Sequence, residues 1–158
     1  MDESQIKQFL EKIAELESSS GKNLEHKTMQ SGIHKGTSAI GRYGMMPNTV
    51  DEVIRRATRT GDPSVEMQKL SAMSPDEKKL YLQQNPELEN QLAESLAGHV
   101  LEKQGGDEEK AAYSWLYGHN LSPEKVQERD YSNSPYVQRF RNLRKPAFDK
   151  IKKKLSEE

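Results

Sequence analysis

Cysteine is absent from the 158 residues. That excludes disulfide staples, thiolate nucleophiles and zinc–thiolate sites. Histidine is scarce, with four residues: His26, His34, His99 and His119. None stands in an HxxxH or HExxH spacing, so no metal site is expected, and each reads first as an ordinary polar residue of loop or surface. Apolar residues make up only 32% and aromatics 6%, which implies a small core covered by long polar helix faces. No run approaches the roughly 18 apolar residues that cross a bilayer, and membrane insertion is not expected. An excess of either charge is also missing: Lys and Arg number 24, Asp and Glu 25, and the formal net charge is −1. Whole-protein electrostatics therefore gives no argument for nucleic acid as a partner. Met1-Asp2-Glu3-Ser4 has neither a basic n-region nor an apolar h-region, so the expectation is synthesis in a cytoplasm without a cleaved signal.

What is present is mostly helical pattern. Ile6, Phe9, Leu10, Ile13 and Leu16 recur at steps of three and four, the mark of an amphipathic helix from near Ser4 to just before Ser18-Ser19-Ser20-Gly21. The segment from Gly21 to Gly44 has no period and carries Gly32, Gly36 and Gly41. It reads as a long loop with room for a short turn or hairpin, and loops of this length are usually functional or disordered. Beyond it, Asn48 or Thr49 can cap a helix to about Arg59, broken by Gly61-Asp62-Pro63. Ser64 opens a short helix, and Ser74-Pro75-Asp76-Glu77 is a strong start for another, stopping near Asn85-Pro86. A stripe of Leu88, Leu92, Leu96, Val100 and Leu101 marks a longer helix ended by Gly105-Gly106. Asp107 and Ser122-Pro123 open two more, and residues 135–143 and 146–155 complete the series. No strand pattern stands out. The expected fold is all-α, a single domain over 1–158 with at most a minor β-hairpin. Residues 134–158 form a basic helical extension carrying Arg139, Arg141, Arg144, Lys145, Lys150, Lys152, Lys153 and Lys154. That basic run reads first as a solvated face, with an anionic partner as the sharper alternative.

Glu17 breaks its pattern. It follows Ile13 by four residues and Leu10 by seven, which places it within the apolar stripe of the first helix, whereas Glu11 and Glu15 point away. Desolvation and the negative end of the helix dipole both disfavour an ionised carboxyl there. A carboxyl held protonated near neutral pH is what a general acid needs. The competing reading is a helix that ends a turn earlier and leaves Glu17 as a solvated end residue.

Three local words extend the Glu17 argument. Glu17-Ser18-Ser19-Ser20-Gly21 follows the first helix; Ala39-Ile40-Gly41-Arg42-Tyr43-Gly44-Met45-Met46-Pro47-Asn48-Thr49 leads into the next; Gly105-Gly106-Asp107 precedes Ala111-Ala112-Tyr113-Ser114-Trp115. In this order, over about Ile6 to Gly118, the chain resembles the soluble lytic transglycosylases with a goose-lysozyme-like fold. Their Glu-Ser, Gly-Leu-Met-Gln and Ala-Tyr-Asn motifs occur in the same sequence. The resemblance implies that Glu17 is the single catalytic acid/base and Ser18 the motif serine beside the substrate. By the same likeness Tyr43, Gly44, Met45 and Met46 line the glycan groove, and Tyr113 is the motif tyrosine near the catalytic Glu. Pro47 stands where the family has Gln and Ser114 where it has Asn, which puts substrate detail in question.

The reading of the residues by themselves is plainer: Met45 and Met46 as gap fillers, Gly41 and Gly44 as turn glycines, Tyr113 as a buried helix face. Glu25 and Asp51 lie nearest the motifs, and neither has the context of a second catalytic acid. The resemblance implies cleavage of the MurNAc–β-1,4–GlcNAc bond of peptidoglycan, by anhydro-ring closure or by hydrolysis, with no cofactor. A wall substrate and the expected absence of a signal together point to a bacteriophage protein acting in the periplasm or cell wall. Its expected partners are glycan strands and virion or tail proteins. The alternative is a catalytically inactive lysozyme-like component of a virion.

Overall fold

A computed structural model describes residues 2–21, 24, 26, 38–60 and 65–143. The stretch 27–37, with Gly32, His34 and Gly36, lies outside the described residues, as do Glu25, the Gly61-Asp62-Pro63 breaker and everything after 143, including the expected 146–155 helix and its lysines. Among the described residues the chain is α-helical, without a strand. The helices are α1 (Glu3–Ser18), α2 (Pro47–Thr60), α3 (Val65–Ser71), α4 (Pro75–Gln84), α5 (Pro86–Lys103), α6 (Glu108–Tyr117) and α7 (Pro123–Glu128). A 3-10 turn at Tyr131–Asn133 leads to a further helix, α8, over 135–143. The fold class is all-α, and among the described residues β pairing is limited to one isolated bridge between Ile40 and Met45.

The ends of these helices follow from short polar side chains. Ser74 Oγ accepts from the Glu77 amide, Asp107 from the Glu109 and Lys110 amides, and Ser122 from the Lys125 amide, each satisfying an otherwise orphaned N–H of a first turn. At the end of α5 the Gly106 amide reaches back to the Leu101 carbonyl and the Gly105 amide to that of Glu102. This paired closure needs positive φ, which both glycines supply. One start differs from expectation. α2 begins at Pro47, ahead of Asn48 and Thr49, because proline at the first helical position has its φ already set and no N–H to lose.

The chain divides into two compact units, one of Met1–Leu16 with Ala97–Glu158, the other of Glu17–Leu96. In the first, Phe9 of α1 is fully buried, its ring 6.0 Å from that of Trp115 and 5.7 Å from that of Phe140. Burying such a ring contributes roughly 1.5–3 kcal/mol. Tyr113, Val126 and Val137 form a second cluster there, joined by Leu121 and Tyr131. In the second unit α2 packs against α3 and α4, and Val50, Val53, Leu70 and Leu82 are buried. Lys78 of α4 is buried with them, and its Nζ lies 3.0 Å from Asp51 of α2. No helix among the described residues is long and apolar enough to cross a membrane.

Candidate active site

Helix α1 runs through Ser18, so Glu17 is a residue of its last turn, half-buried, not a solvated residue beyond the helix end. Just past it the backbone reverses sharply. Ser19, Ser20 and Gly21 all take positive φ, at 51, 59 and 89°. Two serines in the left-handed region cost roughly 1–2 kcal/mol each, and such strain persists only where surrounding contacts impose it. Ser18 supplies those contacts. It is 2% exposed; its Oγ donates to the Arg42 carbonyl at 2.7 Å and accepts from the Gly21 amide at 2.9 Å.

The partner of this helix end is the turn from Ile40 to Met45. Its ends are closed by the Ile40 amide donating to the Met45 carbonyl at 2.6 Å. Gly41 and Gly44 hold φ of +60 and +65°, and each has a second reason to be glycine. A Cβ on Gly44 would stand 2.7 Å from Cδ of Glu17, inside its carboxylate. A Cβ on Gly41 would stand 2.8 Å from Cδ of Glu89. The turn is therefore pressed between two glutamates, one from the end of α1 and one from the beginning of α5.

Glu89 is the residue that sequence reasoning missed. Only 4% exposed, it accepts from the Arg42 amide through both carboxylate oxygens, at 3.3 and 3.1 Å. Burial pushes its pKa up to about 7, against the opposing pull of that amide bond and of the Arg42 charge. Its neighbour Asn90 accepts from the Tyr43 hydroxyl at 2.7 Å. On the other side of the same Gly41–Arg42 peptide, His26 Nε2 lies 2.8 Å from the Gly41 carbonyl oxygen. A signal for Glu89 existed. It precedes Ala93 by four residues and Leu96 by seven, the relation Glu17 bears to the stripe of α1. For His26 there was none, because its partner is a backbone carbonyl distant in sequence.

The other expected site residues are divided between the two units. Tyr43 and Met45 are buried in the second unit; Gly44 and Met46 are half-buried in the same segment. Tyr113 belongs to the first unit, where its ring lies 4.5 Å from that of Tyr117. Ser114 is fully buried and donates to the Gly118 carbonyl at the end of its own helix, at 2.7 Å. Asp51 is engaged by Lys78. Among the described residues no group of three or more His, Asp or Glu side chains gathers to hold a metal ion. No family model, curated protein or solved structure matches the chain.

Chemically, the second unit offers one half-buried carboxyl, Glu17, beside a backbone turn with glycine on its near side. It also offers one buried carboxyl, Glu89, enclosed behind that turn. A two-carboxylate glycosidase needs both acids to reach the substrate from opposite sides. Glu89, at 4% exposure, is closed to a polymer.

Proposed function

We propose that this chain is a peptidoglycan-cleaving lytic transglycosylase in which Glu17 is the single acid/base. The observation that carries the reading is the Glu17 carboxylate held against the bare backbone of Gly44, at the end of a helix and beside a buried Ser18. Glu17-Ser18 and Gly44-Met45-Met46 are also the residues that resemble the family's Glu-Ser and Gly-Leu-Met motifs. A lysozyme-like arrangement of the helices is part of the proposal.

In the proposed reaction Glu17 gives its proton to the glycosidic oxygen and the bond from that oxygen to C1 of the muramyl residue breaks. The 2-acetamido oxygen stabilises the positive charge that develops at C1. The resulting Glu17 carboxylate then takes the proton of the muramyl C6 hydroxyl, and O6 bonds to C1 to close a 1,6-anhydro ring. The attack is intramolecular, which removes the entropic cost of positioning a water. Glu17 ends protonated, ready for another cycle. We place the protein with bacteriophage wall-penetration or lysis enzymes, with glycan strands as substrate and virion or tail proteins as partners.

One observation favours the inactive virion component instead. Ser114, where the family has Asn, spends its hydroxyl on its own helix end. Turbidity clearing of purified Gram-negative peptidoglycan separates the readings. The expected result is clearing by the wild type, none by a folded Glu17→Gln, and anhydro-muramyl ends by mass spectrometry. Reducing ends would make the enzyme a lysozyme. Clearing that survives Glu17→Gln would remove Glu17 from the mechanism, and a folded but inactive wild type would leave the structural reading.

A further inference from the structure

The Gly41–Arg42 peptide is held on both of its polar sides by titratable side chains. Its N–H is donated by Arg42 to Glu89, and its carbonyl oxygen, that of Gly41, meets His26. Three more contacts fix the residues that follow. Ser18 Oγ donates to the Arg42 carbonyl, the Tyr43 hydroxyl donates to Asn90, and Ile40 and Met45 close the turn. At the near end of this assembly stands Gly44, whose backbone bounds the space of the Glu17 carboxylate.

We infer that Glu89 is a positioning residue for the Glu17 reaction, setting the plane of the Gly41–Arg42 peptide and through it the place of Gly44 against Glu17. This rests on the proposed function above. The argument is geometric first. Glu89 is buried, yet it meets the turn at Gly41 and Arg42, three and two residues before Gly44. Gly41 cannot carry a side chain without displacing it, so glycine there and glutamate on α5 fit together. A simple filler of this place would be apolar, since a buried carboxyl costs free energy unless it bonds to something specific.

The charge state then matters. An amide donates more strongly to a carboxylate than to a neutral acid, so ionised Glu89 holds the turn more firmly. Ionisation occurs near neutral pH, where burial has moved it. Among the described residues, the charged and titratable groups at Glu89 and its turn are the Arg42 guanidinium, which favours the ionised form, His26 across the peptide and Glu17 against Gly44. The Gly41 carbonyl can only accept, so His26 is the donor in that contact.

The test compares wild type, Glu17→Gln and Glu89→Gln in muropeptide release across neutral pH, with melting curves and 15N NMR of the Arg42 amide. Glutamine keeps the shape and an acceptor but cannot ionise. The expected wild-type kcat rises through a midpoint near 7. In Glu89→Gln kcat falls about tenfold, KM is unchanged, the rising limb is gone and the fold is at least as stable. The wild-type Arg42 amide resonance titrates with the same midpoint and is flat in Glu89→Gln. A Glu89→Gln enzyme with wild-type kcat and an intact rising limb overturns the inference alone, as does a flat wild-type Arg42 resonance. An inactive but folded wild type overturns the proposed function, and this inference with it.

Discussion

The Glu17 carboxylate lies where a side chain on Gly44 would be. The ideal Cβ position of Gly44 is 2.7 Å from Glu17 Cδ and 3.0 Å from its Cγ. Glu17 and Ser18 thus meet the 40–45 turn as a pair, the first against Gly44 and the second on the Arg42 carbonyl. Glu89 and Asn90 meet the same turn as a second adjacent pair, on the Arg42 amide and the Tyr43 hydroxyl. Six residues are gripped by two helix termini, and the acid proposed for catalysis belongs to one of the grips.

Gly44→Ala should separate stability from activity. The substitution forces an L-residue to φ +65°, at a cost of roughly 1–2 kcal/mol. Its methyl also displaces the end of a flexible side chain, Glu17. The expected outcome is a folded protein with a modestly lowered melting temperature and muropeptide release reduced about a hundredfold. Retained activity would mean that the Glu17 position against this turn is unimportant.

Ser18→Ala removes a donor to the Arg42 carbonyl and an acceptor for the Gly21 amide. Both backbone groups lose this partner in a part-buried place, so the expected cost is about 1 kcal/mol. Urea denaturation measures it directly. A variant within a few tenths of wild type would show that water replaces the hydroxyl there.

Most helices were legible from sequence because their ends carry chemistry. Ser74, Asp107 and Ser122 announce first turns, and Gly105-Gly106 a last one. Glu17 was legible for the opposite reason, as a charge on a stripe that should be apolar. Glu89 has the same signature and was hidden by its position. It lies in the first turn of α5 beside Glu87, where acids ordinarily complement the helix dipole. The partner of each glutamate, a turn of two glycines far off in sequence, has no periodicity to read. Pro47 shows a smaller confusion, since Asn48 and Thr49 looked like caps but lie inside the helix that Pro47 starts.

The Lys78–Asp51 pair should respond asymmetrically to truncation. Lys78 is 6% exposed at its side chain and Asp51 28%. Asp51→Ala leaves a buried ammonium without its counter-charge, at an expected cost of about 3 kcal/mol. Lys78→Met removes the buried charge and leaves a carboxylate that water can reach, for an expected cost below about 1 kcal/mol. Equal losses in the two variants, measured by urea denaturation, would contradict the unequal burial.

Glu89→Gln should stabilise the protein at alkaline pH and not at acid pH. The folded-state pKa of about 7 stands above the ordinary value of 4.5. Between those values the folded protein keeps a proton that the unfolded chain has released. Stability from this group is therefore full below 4.5 and is lost as pH rises to about 7, beyond which the loss is constant. Glutamine stays neutral throughout and escapes the loss. Near pH 8 the variant should be more stable than wild type by roughly 2 kcal/mol, with the difference shrinking towards zero near pH 4.5. Thermal melts across this range test the sign. A constant gap at every pH would place the effect in packing, whereas a gap that opens through neutrality, in a variant whose muropeptide release is below that of wild type, would show the enclosed carboxylate kept at the expense of stability.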